Sequence, residues 1–492
     1  MRRIILSLFI FNLSISCVFS QDIEGFNSFR EKLLGDFQKE KQGIYKRFNS
    51  FRDSINAEYA EFLKTVWSEI SLSDPIPRPK EKVVPPHPYT KPIEDKTITV
   101  IPEKVPVLKP DPKPHPVEPI KDSPQPRNDY INFSFYGIKE KIRIPDISDY
   151  HIDIRNNESI SKAWESLCNE RIENTLYDLL KIRDKYNLCD WGYLQMINSL
   201  ACQYCKEKSM TTLLTAYLYI QSGYQMRLGK DNSQLILLYG SKHQIYEKPF
   251  YVVDGVKYYP YTTSVSSLSI CPAKFEGETP LSLIIDSEQK LGTTLSEERV
   301  IKSAKYQDVT AISSVPLELI RFYDSYPTSA IGENLLSRWA MYANTPLSDK
   351  TKELLYPSLK TSILDCSDID AVNRLLNWVQ TGFEYEYDDK VWGHDRAFFA
   401  EETLYYPYAD CEDRSILFSR LVRDLLNLDV ALVYYPGHLA TAVKFNSEVQ
   451  GDAMIIDGKR FVICDATFIG APVGSQMPNL DYKSAKTIIL ER

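Results

Sequence analysis

Histidine is scarce in this chain: only six of its 492 residues are histidines. His87 and His115 lie in a proline-rich segment that cannot fold into a core, because such a composition buries too little apolar surface. The histidines that remain as candidates for chemistry are His151, His243, His394 and His438. The cysteine pair Cys202 and Cys205 lacks a second pair at the spacing that a structural zinc site needs. The sequence accordingly predicts neither a metal site nor a cofactor.

Long apolar runs and basic clusters are also missing. Beyond residue 20, no stretch is long and apolar enough to span a membrane. Aspartate and glutamate number 66 against 58 lysines and arginines, which gives a formal net charge of −8 without a basic run. This charge pattern argues against nucleic acid as a partner. The length exceeds that of one domain, and a hydrophobic content of 43% is ordinary for folded protein.

The first 20 residues have the pattern of a secretory signal peptide: two arginines, an apolar run and a cleavage site that ends in serine. Cys17 raises the alternative of a lipoprotein, but Ser14 occupies the position where a lipobox has leucine. We therefore expect an extracytoplasmic protein, either periplasmic or secreted to the cell surface, with lipidation disfavoured.

Two unlike segments follow the signal. Residues 21–71 are charged and carry apolar side chains such as Phe26, Phe29 and Leu33 at steps of three and four residues. This pattern predicts amphipathic helices that either pack on the protein itself or dock a partner. Residues 72–128 contain 16 of the 29 prolines and almost no aromatic residues. We expect this segment to be a stiff, extended linker without a packing surface.

The clearest chemical pattern surrounds Cys411. Apolar residues recur at helical spacing downstream of it, so Cys411 belongs to the first turn of a helix that Asp410 caps. The helix dipole favours the thiolate of a cysteine in this position. The neighbouring acids Glu412 and Asp413 oppose the thiolate, so a lowered pKa requires a nearby cation, for which a histidine is the candidate.

His438 and Asp465 lie on two predicted strands downstream. The turn residues Pro436-Gly437 separate a β-branched and aromatic run from a second strand, which His438 opens. A second hairpin turns at Asp457-Gly458, and Asp465 stands where its last strand ends.

Cys411, His438 and Asp465 follow each other at intervals of 27 positions. Any one of them alone is more often a buried structural residue than a catalytic one. A nucleophile on a helix, a base on a strand and a carboxylate on the neighbouring strand together predict a triad for cysteine-dependent acyl transfer. Ala440 and Ala442 share a face with His438, and we expect the helix to lie against these small side chains.

These residues resemble the transglutaminase-like superfamily, whose members have a papain-type fold. Asp410-Cys411-Glu412-Asp413 at the start of an apolar helix is similar to the bacterial transglutaminase-like cysteine peptidase branch. The resemblance covers about residues 371–465, and Pro436-Gly437-His438 and Cys464-Asp465-Ala466-Thr467 match the family's histidine and aspartate segments. A glycine that the family often has shortly before its cysteine is missing here.

The resemblance implies a role for each residue of the triad. Cys411 corresponds to the nucleophile, His438 to the base and Asp465 to the residue that orients the base. Family members frequently use an upstream aromatic or polar side chain as an oxyanion donor, for which Trp378 and Trp392 are candidates.

Residues 129–275 look like a second, degenerate copy of the same fold. An apolar helix over about 210–220 and the strands after it follow the order of the catalytic helix and its strands. In this copy Gln234 replaces the histidine and Thr262 the aspartate, while Cys205 stands at a helix start without a base. The copy is expected to be structural or to bind substrate, and an unrelated α+β stretch is the alternative.

Residues 276–365 form a mixed connecting region without evident chemistry, and residues 366–492 form the catalytic domain. In the connecting region, strands are predicted at 281–285 and 309–312, and a helix at 334–343. In an exported protein, one or two disulfides are expected among the cysteines Cys168, Cys189, Cys202 and Cys205.

Together these observations predict an α+β protein with a papain- or transglutaminase-like core, in which a helix with an N-terminal cysteine packs on an antiparallel sheet. We expect an exported thiol-dependent enzyme, a cysteine peptidase or acyltransferase, that acts on amides in proteins or peptides. A non-catalytic cell-surface scaffold or protein-binding module with this fold is the alternative. The expected partners are a protein or peptide substrate and a protein that docks on the N-terminal helices.

Overall fold

The residues described by the computed structural model are 32, 35, 52–80, 84–89, 97–100, 112–116, 122, 129–147, 151–261, 265 and 267–491. They belong to two units, Met1–Ala57 and Glu58–Arg492. The first unit is helical at each of its described residues. The predicted signal peptide and most of the predicted N-terminal helices lie outside the described residues.

The second unit is mixed α+β, as the sequence predicts. After helical residues 58–64, its helices are α1 (Asn157–Leu167), α2 (Glu170–Lys185), α3 (Asp190–Tyr204), α4 (Lys208–Gln221), α5 (Leu317–Asp324), α6 (Leu336–Asn344), α7 (Asp349–Ser362), α8 (Asp368–Gly382), α9 (Asp388–Val391), α10 (Ala400–Tyr405) and α11 (Cys411–Leu426). Its strands are β1 (Ser68–Ser71), β2 (Thr97–Val100), β3 (Tyr130–Phe135), β4 (Ile138–Arg143), β5 (Met226–Lys230), β6 (Leu235–Ser241), β7 (His243–Ile245), β8 (Tyr251–Val253), β9 (Val256–Pro260), β10 (Ser267–Ile270), β11 (Arg299–Lys302), β12 (Thr310–Ser313), β13 (Ser329–Ile331), β14 (Asp429–Tyr435), β15 (His438–Lys444), β16 (Ala453–Ile456), β17 (Lys459–Cys464) and β18 (Lys486–Ile489).

Two six-stranded sheets, with strand orders β1-β10-β5-β6-β9-β8 and β18-β14-β15-β17-β16-β2, dominate the unit. In each sheet, a helix (α4 or α11) leads into the first strand of a hairpin. Five strands of the first sheet, β10-β5-β6-β9-β8, correspond in order to β18-β14-β15-β17-β16 of the second. All neighbouring pairs within these two sets are antiparallel. The sixth strand differs. Strand β1 joins the first sheet antiparallel to β10, whereas β2 joins the second sheet parallel to β16.

Helix α11 begins where the sequence predicts because its first residues satisfy the free backbone groups there. The Asp410 carboxylate accepts a hydrogen bond from the backbone N–H of Glu412 at 3.2 Å. The Asp413 carboxylate accepts one from the backbone N–H of Asp410 at 3.2 Å, which completes a capping box. The helix ends at Asn427, whose backbone is left-handed.

The two hairpins of the second sheet bring the ends of β15 and β17 together. Gly437 has a φ of 80° at the first turn, where Tyr435 pairs with His438. Because β17 returns beside β15, with Thr441 opposite Cys464, the start of β15 and the end of β17 lie at one edge of the sheet. This register places the residue after β17 close to His438.

Helix α11 packs on the face of β15 opposite to the one expected. The Ser415 hydroxyl donates to the backbone oxygen of Leu439 at 2.9 Å, and Leu439 and Val443 belong to the same core cluster as the apolar face of the helix. Ala440 and Ala442 belong to a separate cluster on the other face of the sheet. The prediction was wrong because this sheet is buried on both faces, so small side chains do not identify the helix-bearing face.

Described parts of the proline-rich segment pack on the folded unit, contrary to the expectation of a linker without contacts. Strand β2 extends the second sheet. The backbone N–H of Tyr89 donates to the oxygen of Ile469 at 3.0 Å. The Arg183 side chain donates to the oxygen of Pro114 at 2.7 Å. Proline removes a donor but keeps its carbonyl acceptor, so an extended proline-rich backbone can still pair at sheet edges and with side chains.

The first sheet departs from the predicted correspondence with the second in detail. Cys205 follows the last residue of α3 instead of starting a helix, and α4 begins at Lys208. Gln234 stands directly before β6, and Thr262 lies outside the described residues.

The predicted disulfides are absent among the described residues. All eight described cysteines are free, including Cys168, Cys189, Cys202 and Cys205. Cys189 and Cys205 flank opposite ends of α3, whose length of about 22 Å is far beyond the reach of a disulfide. The thiol of Cys168 instead donates to the oxygen of Trp164 at 3.3 Å.

The connecting region also differs from expectation at one point. The predicted strand over residues 281–285 is not formed, and Leu281 makes only an isolated bridge with Ser241. Strand β12 and helix α6 form close to their predicted positions. Among the described residues, no helix combines the length and the apolar character that crossing a membrane requires.

We expect Ile98→Asp to lower the melting temperature of the full chain. Ile98 on β2 packs against the cluster that contains Ala440 and Ala442. Its replacement by aspartate removes about 1–2 kcal/mol of stabilisation from apolar burial and places a carboxylate against an apolar surface. Thr99→Asp is the matched control, because the Thr99 side chain is exposed. Equal melting temperatures for the two variants would show that β2 does not pack on the sheet.

Candidate active site

Cys411 occupies a buried position at the N-terminus of α11, with 3% of its surface exposed. Its thiol donates to the Glu412 carboxylate at 3.2 Å. Burial raises the pKa of the Cys411 thiol well above its usual value, and the negative charges of Glu412 and Asp410 raise it further, while the backbone N–H of Leu439 lowers it. Cys411 is therefore a thiol in the resting protein, and the helix dipole alone does not make it a thiolate.

His438 and Asp465 form a buried hydrogen-bonded pair, with 1% of each residue exposed. The imidazole Nε2 lies 2.9 Å from a carboxylate oxygen of Asp465, and because a carboxylate only accepts, Nε2–H is the donor. In the neutral ring Nδ1 is then the basic nitrogen, and it has no hydrogen-bond partner. The second oxygen of Asp465 accepts from the backbone N–H groups of Thr467 and Phe468, which holds the carboxylate in place.

Gln380 on α8 supports the loop that carries Asp465. Its side-chain nitrogen donates to the backbone oxygens of Asp465, Phe468 and Ala471 at 2.8–3.1 Å, and its oxygen accepts from the backbone N–H of Gly470. All four contacts are made by one buried amide. A single side chain thus fixes the position of the carboxylate relative to the sheet.

Cys411 and His438 line one cavity of about 530 Å³. Its walls come from the start of α11, the turn between β14 and β15, helices α6 and α9, and residues 79–80. One wall is apolar, where Trp339 and Tyr434 stack with ring centroids 5.5 Å apart. The other is acidic and comprises Asp388, Asp389, Asp395, Asp410 and Glu412.

Burial favours the protonated form of part of the acidic wall. Burial raises the pKa of Asp388 to about 8, and the charge of Glu412 contributes to this rise. Burial also raises the pKa of Glu412, Asp410 and Asp413. The wall is therefore less negative at neutral pH than its five lining carboxyl groups suggest.

Arg338 and Tyr385 belong to the site and were missed by the sequence analysis. Arg338 on α6 is 1% exposed and forms ion pairs with Asp395 and, at 3.8 Å, with Glu412. Tyr385 has a buried hydroxyl without a hydrogen-bond partner, and its pKa is raised by burial and then by the proximity of Cys411, whose ionised form would repel a tyrosinate. Neither residue stands in a motif, and the region that contains Arg338 had no recognisable chemical pattern.

The two tryptophans proposed as oxyanion donors do not line the cavity. The indole N–H of Trp378 donates to the backbone oxygen of Ile301 at 3.1 Å, so this donor is already used. Trp392 packs edge-on against Phe398 and Tyr406.

The other candidate histidines lie in different settings. His394 is exposed and lines the cavity. His243 is buried on β7, which pairs with β13 in a two-stranded sheet; burial lowers its pKa to about 4, and its Nε2 accepts from the backbone N–H of Leu283. His151 is exposed and pairs with Glu207. Of the four, His438 has a buried carboxylate partner at the cavity.

Three overlapping groups of side chains at this site could hold a metal ion. Their ligand atoms lie within 4.8 Å of one another, and two of the three groups contain only carboxylates, whose oxygens suit a hard cation. The groups are Asp410, Cys411 and Glu412; Asp388, Asp410 and Asp413; and Asp388, Asp395 and Glu412.

We expect Glu412→Gln to accelerate alkylation of Cys411 by iodoacetamide at pH 7. Removing a negative charge 3.2 Å from the sulfur lowers the thiol pKa, and one unit corresponds to about tenfold more thiolate. The measurement is the alkylation rate against pH. Glu386→Gln, which removes a half-buried acid paired with Lys390, is the control. An unchanged rate in Glu412→Gln would contradict the electrostatic account of the thiol.

No protein-family model matches the chain, and no curated protein is significantly similar to it. Its function is therefore inferred from the chemistry of the residues around Cys411.

Proposed function

We propose that the protein is an extracytoplasmic thiol-dependent acyl-transfer enzyme that hydrolyses or transamidates amides in proteins or peptides. One observation carries this proposal. The imidazole of His438 is bound to Asp465 at 2.9 Å, keeps Nδ1 free of hydrogen bonds, and lines the cavity that also contains Cys411. Cys411 acts as the nucleophile, His438 as the base and Asp465 as the residue that orients the base.

The proposed reaction starts from the thiol. Nδ1 of His438 takes the proton of Cys411 while the sulfur forms a bond to the carbonyl carbon of the substrate amide. The carbon–nitrogen bond then breaks, and the imidazolium returns its proton to the departing amine. The resulting thioester is cleaved by water to a carboxylate, or by an amine to a new amide, with Nδ1 again accepting the proton.

The proposed fold is a papain- or transglutaminase-like core with a degenerate copy before it. The α11 helix with its N-terminal cysteine on an antiparallel sheet supports the first part. The shared order of five strands in the two sheets supports the second. In the first sheet, Gln234 precedes the strand that corresponds to β15, so this copy has no base at that position and serves a structural or substrate-binding role.

A non-catalytic binding module is the second candidate function. The observation that favours it is the raised pKa of Cys411, which burial and two adjacent carboxylates produce. In such a module the cavity would hold a ligand, and the thiol would be no more reactive than a free cysteine.

We expect Cys411→Ala to abolish covalent labelling by an electrophilic peptide, because Cys411 lines the same cavity as His438, whose Nδ1 has no hydrogen-bond partner. Cys205→Ala should label like the unchanged protein, since Cys205 lies at the end of α3 and its pKa is raised to about 12 by burial. The measurement is probe incorporation by mass spectrometry. Labelling of the unchanged protein no faster than of a free cysteine peptide would favour the binding module.

We expect His438→Ala and Asp465→Asn to differ in kind. Removing the base should lower the labelling rate by about 10²–10⁴-fold near neutral pH. Asp465→Asn keeps the imidazole but weakens its orientation, so partial activity with a shifted pH profile should remain. His151→Ala is the control, because His151 is exposed and away from the cavity. A rate for His438→Ala equal to that of the control would exclude His438 as the base.

A further inference from the structure

Residues 73–80, here called the crossing segment, run from the first sheet to the cavity. The segment starts just after β1, where the backbones of Ser73 and Phe250 exchange hydrogen bonds of 2.7 and 3.3 Å. Further along, the oxygen of Ile76 accepts from the backbone N–H of Glu247 at 2.8 Å. The segment is therefore held against the connection between β7 and β8 before it reaches the cavity.

Arg78 anchors the crossing segment at the rim of the cavity. Its guanidinium donates to the Glu247 carboxylate at 2.9 Å, to the backbone oxygen of Asp395 at 2.6 Å and to His394 Nδ1 at 3.3 Å. The Arg78 side chain is only 18% exposed. Its contacts thus join the connection between β7 and β8 to the loop that carries His394 and Asp395.

Beyond Arg78, the chain lies at the cavity itself. Pro79 and Lys80 line it together with Cys411 and His438. On the far side, the backbone N–H of Val84 donates to the oxygen of Gly437, the residue before His438, at 2.9 Å. The chain is therefore hydrogen-bonded to residues around the cavity at Arg78 and again at Val84.

The cavity has the chemistry to bind a basic peptide. Its lining combines carboxyl groups, including Asp389 and Asp395, with the aromatic rings of Trp339 and Tyr434, a combination that suits the cationic head and apolar stem of lysine or arginine. Lys390, which also lines the cavity, is paired with Glu386. Arg338, the buried cation of the site, is already paired with Asp395 and Glu412. The sequence of the crossing segment around the opening is Arg78-Pro79-Lys80, which is basic and contains proline.

We propose that the crossing segment is an internal competitor for substrate, and that the cavity accepts peptides in which a basic residue stands beside proline. This inference rests on the proposed function. Pro75, Pro77 and Pro79 alternate along the segment and restrict its backbone, so ordering it costs little entropy. Its attachment to the same chain gives it an effective concentration on the order of millimolar, so it excludes weak ligands and yields to a substrate that binds more tightly.

The first test compares labelling of Cys411 by an electrophilic peptide in the full chain and in its Arg78→Gln variant. Loss of the guanidinium contacts releases the segment, and the labelling rate should rise by roughly tenfold. This factor corresponds to the free energy of one charge-assisted hydrogen bond. Arg321→Gln is the matched control, since Arg321 is an exposed arginine on α5. A free peptide with the sequence of residues 73–80, at about millimolar concentration, should slow the variant again.

The second test needs no variant of the protein. Two electrophilic peptides are compared on the unchanged chain, identical except that arginine beside proline in one is replaced by glutamate in the other. The arginine peptide should label Cys411 several-fold faster. Equal rates, or faster labelling by the glutamate peptide, would overturn the proposed specificity.

The outcomes separate this inference from the proposed function. If no peptide labels Cys411 in any of these proteins, the proposed function fails and the competitor fails with it. If Cys411 reacts in the unchanged protein but Arg78→Gln labels at the same rate or more slowly, the function stands and the competitor is overturned. Slower labelling would mean that the crossing segment forms part of the substrate site.

Discussion

The hydrogen bond between His438 and Asp465 is the constraint on which the site depends. It requires β15 and β17 to be antiparallel neighbours, so that the start of β15 lies beside the end of β17. A slip of one residue in this pairing would turn His438 to the other face of the sheet and break the bond. The turn at Gly437 and the Gln380 amide beneath the Asp465 loop both oppose such a slip. Ordinary features of hairpins and loops therefore determine the position of one imidazole ring.

The carboxylates at the start of α11 stabilise the helix but disfavour the thiolate form of Cys411. Carboxylates at a helix N-terminus are favourable because they face the positive end of the helix dipole. Here Asp410 and Asp413 also satisfy backbone N–H groups. The same negative charges disfavour the thiolate of Cys411. Electrostatics that stabilise the fold thus favour the protonated thiol, and Arg338 on α6 compensates part of the negative charge through its ion pair with Glu412.

The residues that could be predicted from the sequence are those whose signals are local. The cap at Asp410, the turn before His438 and the strand end at Asp465 are each specified by a few adjacent residues, and the structure forms all three. Arg338 and Tyr385 could not be predicted, because their role comes from packing between elements far apart in the sequence. The face on which α11 packs was mispredicted for a related reason. Both faces of the sheet are buried, so the side chains that alternate along β15 do not indicate which face the helix covers.

The two N-terminal strands impose an order on the assembly of the protein. Strand β1 pairs with residues 267–270, and β2 pairs with residues 453–456, close to the end of the chain. Such distant pairings close long loops and form slowly, after the local hairpins. The segment between β1 and β2 is consequently among the last parts of the chain to have both of its flanking strands paired. During synthesis, β2 remains without its partner strand until residues 453–456 have been added to the chain.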